Sequence, residues 1–476
     1  MRITPFLVSA VLTAGLVFTL DKKWGTVPPI GKFLSPQFGI WQNAEPTDKD
    51  FSMDGKFDGL NGKVEVIFDE RLVPHIFADD DADACFVQGW LHARFRLWQM
   101  EFQTHAAAGR ISEIIGSKAI NFDKAKRRLG MVYAAEKLEK EVDANPFTKI
   151  AVDNYTAGVN AYISTLKESE LPIEYKLLDY QPEKWTNLKT ALFIKQMTET
   201  LAGHVDDLLL TSAKSFFSDD ELKILFPQVP DSLSAIVPNG TAFTPASVIP
   251  VKPATADSLY LGKKDTAQLT DLFLPDKENG SNNWAVSGAK TQSGSPILSN
   301  DPHLELSFPS IWYEMQMSSS TMNAYGVSFP GIPGIVIGFN DSIAFGFTNS
   351  QRDVRDYYEI KFKDGSKQQY WFNNEWKDAQ IKVETIQVRG STPLLDTVAY
   401  TIFGPVMYDA SFPADTNNIN RNLAVRWAAH DASNELLMWY YLDRAKNYED
   451  YYQALQYFTC PPQNIVFASR RGDIAI

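Results

Sequence analysis

The sequence predicts an α+β fold in which helices and strands are segregated along the chain, helices first. From Asp83 the apolar residues recur at helical spacing through Phe86, Trp90, Ala93, Leu97 and Met100, and further helical stretches run near Phe147 to Lys167 and Asn187 to Phe217. After Ser281 the period switches to two. Ile311, Tyr313, Met315 and Met317 alternate with Trp312, Glu314 and Gln316, and Ile343, Phe345 and Phe347 alternate in the same way. Between Phe226 and Gly280 the residues Pro227, Pro230, Pro238, Pro245, Pro250 and Pro253 punctuate Ser, Thr, Ala and Val with no sustained period. Such a stretch cannot present a core face, and by composition alone it reads as a surface spacer or plain interdomain linker. Helices followed by strands, rather than the two alternating, argue for the α+β class.

The remaining elements follow in order. Met1-Arg2 makes a short positive start, and an apolar run from Phe6 to Leu20 is broken only by Ser9, Thr13, Gly15 and Thr19. That pattern suits an export signal over residues 1–23, although no small-residue cleavage site precedes Lys22-Lys23; an uncleaved N-terminal membrane anchor and a buried helix are the alternatives. Residues 24–46, with Pro28, Pro29 and Pro36, read as a linker or extended arm. Val64 to Phe68 alternates as a strand. Asp364-Gly365 supplies a turn between Tyr358–Phe362 and Tyr370–Phe372, so the strands of this half read as antiparallel. Two helices, Glu435 to Arg444 and Tyr448 to Phe458, close the chain, and no repeat at solenoid or propeller spacing is present.

Composition excludes several classes. The 476 residues include 30 Phe, 19 Tyr and 11 Trp, a globular balance, and are enough for more than one structural unit. A formal charge of −13 without a basic run argues against a nucleic-acid partner, since such binding rests on Lys and Arg neutralising phosphates. The two cysteines, Cys85 and Cys460, lie far apart and read as unpaired buried thiols. The six histidines, His75, His92, His105, His204, His303 and His430, form no metal-ligand spacing, which argues against a zinc enzyme. Gly25 to Lys32 resembles a phosphate loop only superficially, because the spacing is wrong and Phe33 replaces the needed hydroxyl.

The informative segment is Asn279-Gly-Ser-Asn-Asn-Trp, leading through Pro296-Ile-Leu-Ser-Asn-Asp-Pro-His303. Gly280 permits a strained backbone directly before a hydroxyl, the geometry a peptide needs if Ser281 Oγ is to attack the Gly280 carbonyl. Hydrolysis of the resulting ester leaves Ser281 with a free α-amino group of pKa about 7.7–8.0. That amine can take the hydroxyl proton near neutral pH and act as the nucleophile's own base, with no His or Asp relay. Taken alone, Asn-Gly-Ser-Asn-Asn is also an ordinary turn.

A longer resemblance decides between these readings. Residues 279–303 are similar to the start of the catalytic chain in the penicillin acylase family of N-terminal-nucleophile hydrolases, where a Ser, its following Asn, a Trp three residues on and an Asn-Asp-Pro-His block recur together. Here those positions are Ser281, Asn282, Trp284 and Asn300 to His303. Pro74 to Ala78, Gln88-Gly89, His92 to Met100, Gly109-Arg110 and Glu113 resemble the family's α-chain. Pro333 to Gly338, Asn340, Phe345 to Asn349 and Gln463-Asn464 with Gly472 resemble later catalytic-chain blocks.

The resemblance implies a four-layer αββα sandwich with a mainly helical α-chain (24–225), a spacer propeptide (226–280) and a β-chain (281–476), the two chains forming a heterodimer after cleavage between Gly280 and Ser281. It implies hydrolysis of a linear amide of a hydrophobic acyl group, of the penicillin, acyl-homoserine lactone or another N-acyl amide type, through an acyl-enzyme on Ser281. The protein is then periplasmic or exported and acts on a small molecule. His303, 22 residues beyond Ser281, matches a position held by Gln or His and would help position the amine and Oγ. Asn349 matches the residue whose backbone N–H donates to the oxyanion. Leu304, Ile337 and Phe347 would line the acyl pocket. No cofactor is needed for chemistry; Asp353 and Asp356 match carboxylates that bind a structural Ca²⁺ in some members, with a further acidic ligand near Met197 to Asp207, where Gly203 and Asp206 stand. Without the resemblance, those two aspartates read equally as a solvated turn pairing with Arg352 or Arg355. The family's second oxyanion donor, an Asn side chain with an Arg nearby, has no counterpart between Asn464 and Ile476, and Ile474-Ala-Ile476 reads as a strand cut short; both point to a C-terminally truncated chain. The alternative is a non-catalytic exported binding or structural protein that retains the fold.

Overall fold

Helices fill most of the first half, as the 3.6-residue pattern requires. In the computed structural model they are α1 (Ile3–Asp21), α2 (Asp81–Ala107), α3 (Ser112–Ile115), α4 (Ile120–Leu129), α5 (Met131–Ala144), α6 (Pro146–Thr165), α7 (Ile173–Leu178), α8 (Asn187–Ala202), α9 (Asp206–Lys214) and α10 (Asp219–Leu225). The structure describes residues 3–476 apart from 26, 36, 45–50, 204–205, 215, 227–239, 241–279, 305, 351 and 415–420. Nearly all of the expected spacer over 226–280, together with His204, therefore lies outside the described residues. Local chemistry sets the helix starts. Asp80 accepts from Asp83 N at the head of α2, Asn145 caps α6 ahead of Pro146, and Thr186 caps α8. The helical stretch expected from Asn187 to Phe217 breaks at Gly203, where a Cβ would stand 2.3 Å from the Glu199 carbonyl oxygen. The expected arm over 24–46 contains two 3₁₀ turns, Ile30–Phe33 and Ile40–Asn43.

The strands are β1 (Glu65–Phe68) and β2 (Pro74–Phe77) from the first half, then β3 (Gly280–Val286), β4 (Ile297–His303), β5 (Tyr313–Ser318), β6 (Asn323–Ser328), β7 (Ile337–Asn340) and β8 (Ile343–Asn349). They continue as β9 (Arg355–Glu359), β10 (Gln369–Phe372), β11 (Glu375–Asp378), β12 (Gln380–Ile386), β13 (Leu394–Thr401), β14 (Gly404–Tyr408), β15 (Leu423–Trp427), β16 (Gln463–Ser469) and β17 (Ile474–Ala475). Helices α11 (Glu435–Leu442) and α12 (Tyr448–Leu455) precede β16. The architecture is mixed α/β, with one eight-stranded sheet ordered β1-β2-β5-β6-β7-β8-β16-β17, one five-stranded sheet ordered β12-β13-β14-β15-β9, and the separate pairs β3-β4 and β10-β11.

Two details differ from the sequence reading. The strands after Ser281 pair antiparallel with one another as expected, but β2 of the first half joins them parallel to β5, a partner its own pattern did not give, so the first half contributes the edge of the sheet built mainly by the second. The turn at Asp364-Gly365 forms, with Ser366 N donating to Asp364 Oδ1 at 2.9 Å, but its flanks meet only at a Phe362–Tyr370 bridge. The longer partners win, β15 for β9 and β11 for β10.

The two halves are locked together by packing, charge and neutral hydrogen bonds. Phe193 and Met197 of α8 share one core with Phe345, Phe347, Trp427 and Met438. Arg128, fully buried on α4, reaches Asp396 of β13 at 2.6 Å and Asp409 at 3.1 Å. Helices α2 and α6 touch backbone to backbone: a Cβ on Gly89 would stand 2.2 Å from the Tyr155 carbonyl oxygen, and one on Gly158 would stand 1.8 Å from that of Phe86. At this crossing His92 is buried between Tyr155 OH and Ser328 Oγ, each 2.9 Å away. Ser328 Oγ donates onward to Tyr313 O, so it accepts from His92 Nε2–H; Nδ1 is then the acceptor, and Tyr155 OH donates to it. Tyr155 OH in turn accepts from Gly331 N at 2.8 Å. Burial, assisted by nearby Arg96, pushes His92 down to about 3, which keeps this relay uncharged at neutral pH.

Candidate active site

Ser281 is the second residue of β3, whose only ladder partner among the described residues is β4. The register sets Gly280 opposite His303, Ser281 opposite Pro302 and Asn282 opposite Asp301. The half-buried Ser281 hydroxyl donates to the Gly280 carbonyl oxygen, the carbonyl of the bond expected to be cut. His303 and Asp301, two apart and hence on one face of β4, meet through Nε2 and Oδ2 at 2.8 Å. The strain expected at Gly280 is not found. It is absent from the positive-φ residues, and a Cβ there would come no closer than 3.7 Å to His303 Nδ1, because Gly280 opens a regular extended strand.

The hairpin seats Ser281 at an apolar cavity. Leu304, Ile337 and Phe347 all line it, together with Ser281, Pro302 and Asn349. Sequence reasoning missed most of the other wall. Phe193, Met197 and Leu201 come from α8, Phe329, Ile332 and Val336 from the loop between β6 and β7, and Trp439 and Phe458 from near the end of the chain. The α8 contribution had a readable signal, because 193, 197 and 201 form an i, i+4, i+8 stripe on one helix face. Trp312 stacks on Phe329 at 4.3 Å, and Phe347 meets Trp439 and Phe458 at 6.4 and 6.2 Å. Asn349 ends β8 at the cavity rim, where its side-chain amide donates to Leu201 O at 2.6 Å and ties the strand end to the last turn of α8.

The loop that carries Phe329, Ile332 and Val336 is held at several points. Gly331 N donates to Tyr155 OH, Gly334 N donates to Gln88 Oε1 at 2.9 Å, and Gln88 Nε2 donates back to Gly334 O at 3.0 Å. Ile335 N donates to Asp443 Oδ2 at 3.0 Å, and Asn340 Nδ2 caps the chain after α11 by donating to Ala445 O at 2.9 Å. Burial raises the Asp443 carboxyl to about 7, against the pull of the Ile335 N–H and Arg444.

A second acidic group lies at the junction of α9 and β9. Carboxylate oxygens of Asp207, Asp353 and Asp356 all fall within 4.8 Å of one another. Asp207 thus supplies the third carboxylate that the sequence left between Met197 and Asp207. Arg355 does not close on the cluster; its guanidinium donates to Gly203 O at 3.3 Å and stacks over Trp427. Burial, then the neighbouring Asp353, raises the Asp356 carboxyl, while Arg426 lowers it. Three hard oxygen donors with this mutual repulsion fit a divalent cation such as Ca²⁺ in donor type. The other triad, Glu101, His105 and Glu183, is already compensated, because Arg110 and Lys189 bond its carboxylates. Both cysteines are buried and unpaired.

The chain belongs to the penicillin amidase family, which it matches over residues 63–476. It is 30% identical over 431 residues to an acyl-homoserine lactone acylase of Pseudomonas aeruginosa, covering 87% of this chain and 49% of that protein. It is 30% identical over 353 residues to the penicillin acylase 2 proenzyme of a Pseudomonas species, strain SE83, covering 73% and 44%. Among solved structures, the thermostable penicillin G acylase of Alcaligenes faecalis is 26% identical with a TM-score of 0.36, covering 40% of this chain and 34% of that one. The chain spans about half the length of the curated relatives it matches.

The Asp443 carboxyl gives a pH-dependent prediction for the cavity wall. Its unfolded counterpart releases its proton near about 3.9, whereas the folded group keeps it until about 7. Between those values the folded state binds more protons, so this group's contribution to stability falls as pH rises through that window. In paired thermal melts, Asp443→Asn should gain on wild type steadily from about pH 4 to about 7. A difference in Tm that stays flat across this range contradicts the assignment.

Proposed function

We propose that the chain is a self-processing amidase that hydrolyses linear amides of hydrophobic acyl groups, with Ser281 as nucleophile. One observation carries the reading: the Ser281 hydroxyl lies against the Gly280 carbonyl in the lining of an apolar cavity. In maturation, Oγ adds to the Gly280 carbonyl carbon and the peptide C–N bond breaks, leaving an ester and a free Ser281 α-amine. Water cleaves the ester, releasing the Gly280 carboxylate. The Asp301–His303 pair beside Gly280 would position the reacting groups. In turnover, the α-amine takes the hydroxyl proton as Oγ attacks the substrate amide, and the resulting ammonium gives that proton to the leaving amine. The Asn349 backbone N–H would face the developing oxyanion, and water activated by the same amine would free the acyl group.

The cavity chemistry favours an apolar acyl half, aliphatic or aromatic, because its walls are mostly Leu, Ile, Val, Phe, Met and Trp. The amides named in the acyl-homoserine lactone acylase and the penicillin acylase 2 proenzyme share only such an acyl-to-nitrogen bond. On this reading residues 24–225 and 281–476 become α- and β-chains of a heterodimer, held by the β2–β5 ladder and the shared core. The β3–β4 pair, packed on β8 and β16, would begin the second sheet of a four-layer αββα sandwich. A Ca²⁺ held by Asp207, Asp353 and Asp356 would fasten α9 to β9.

A panel of chromogenic amides graded in acyl length tests the activity. Turnover should track apolar acyl groups, rapid quenching should trap the acyl mass on the Ser281 peptide, and Ser281→Ala should lose on the order of 10⁴-fold or more in rate. A chain that is cut but turns over no member favours the binding-protein alternative. For the cation, chelation should lower the wild-type Tm and calcium should restore it, whereas Asp356→Asn should respond to neither. A wild-type Tm indifferent to chelator removes the cation from the proposal.

A further inference from the structure

Helix α1 and the segment that follows it are built the wrong way round for water. All of the described side chains of α1 lie outside the core, with Phe6 71% and Leu12 68% exposed, and its mean hydropathy over an 18-residue window is 2.0. Its 19 residues rise about 28 Å, close to the ~30 Å hydrocarbon thickness of a bilayer. The apolar run from Phe6 to Leu20 also matches the upper length of a signal's central region. Length and composition alone do not separate an anchor from an export signal; the segment after the helix does.

That segment folds back on the helix end and is fixed to the body by its polar side. Trp24 Nε1 donates to Thr19 O at 2.9 Å, across the junction where a leader would be removed, and Trp24 and Val27 exchange two backbone hydrogen bonds. Gly31 abuts Leu20, where a Cβ would stand 3.1 Å from its carbonyl oxygen. Underneath, Lys32 Nζ binds Asp179 at 3.0 Å and Glu168 at 3.3 Å, while Lys176 Nζ donates to Asn43 Oδ1 at 2.9 Å. Asp179 is itself gripped by Arg389 at 3.0 Å, so the segment is tied through to the loop between β12 and β13. With its polar groups turned inward, the segment presents Trp24, Phe38, Ile40 and Trp41 to the outside, Phe38 and Trp41 at 64% and 77% exposure.

We infer that α1 is retained as a membrane anchor and that Trp24, Phe38, Ile40 and Trp41 form an aromatic collar resting on the surface of a phospholipid bilayer. Tryptophan at the end of an apolar span is the side chain that the headgroup region favours, since its ring is apolar and its N–H polar. Lys22 and Lys23, between the span and the collar, meet the phosphates of that layer. The collar holds the catalytic body against the membrane at a fixed orientation, through the Lys32 and Lys176 contacts. This inference is independent of the proposed chemistry at Ser281.

The test uses the full chain extracted from membranes of expressing cells. Its N-terminal peptide should retain α1. Cys85 and Cys460 are buried, so Trp41→Cys and, as a control on the β10–β11 pair, Glu375→Cys can each carry one polarity-sensitive fluorophore. In phosphatidylethanolamine–phosphatidylglycerol vesicles the label at 41 should shift to the blue and be quenched several-fold more by brominated lipid than the label at 375. A chain that begins after Asp21 overturns the inference. So does a label at 41 as solvent-exposed as the control, or one shielded equally without vesicles, which would indicate a second copy of the chain.

Discussion

The chemistry proposed for this molecule depends on one contact, the Ser281 hydroxyl donating to the carbonyl of the residue before it. A hydroxyl so placed has its electrophile delivered by the chain itself, so proximity costs no binding step. The contact exists because Gly280 and Ser281 are the opening residues of a strand whose ladder partner, β4, carries Pro302 and His303 across from them. Nothing in the strand is strained. On the proposed chemistry the attack would therefore draw on position and on the neighbouring Asp301–His303 pair rather than on stored backbone energy.

For a cut at that place to leave a working protein, the residues on either side must already be joined by more than the chain. They are. The parallel β2–β5 ladder, the buried Arg128–Asp396–Asp409 group and the neutral Tyr155–His92–Ser328 relay all span the two segments. The relay also reaches the cavity, since Tyr155 accepts from Gly331 in the loop that supplies Phe329, Ile332 and Val336. Helix packing far from Ser281 thereby sets the wall against which an acyl group would rest.

What was legible in the sequence was what periodicity and ordered motifs encode. The α2 stripe, the period-two strands β5 and β8, and the association of Leu304, Ile337 and Phe347 with Ser281 all appear in the structure. Partner choice was not legible, because a strand's own pattern states which face is buried and not which neighbour pairs with it. Hence the parallel β2–β5 joint, and the failure of the Asp364-Gly365 turn to make a full hairpin, emerged only in three dimensions. Asp207 eluded placement because a cluster assembled from two distant segments leaves no spacing to read. The outward-facing Trp24, Phe38 and Trp41 read in sequence as part of a linker or extended arm, since only the inward bonds of Lys32 and Asn43 reveal which side faces out.

Intact-mass analysis with N-terminal sequencing of the gene's full-length product, beside its Ser281→Ala variant, bears most directly on the central claim. Wild type should yield a fragment that begins Ser-Asn-Asn-Trp, and Ser281→Ala should remain joined at that bond. A wild-type chain that folds and stays whole, or a Ser281→Ala chain cut at the same place, would contradict it.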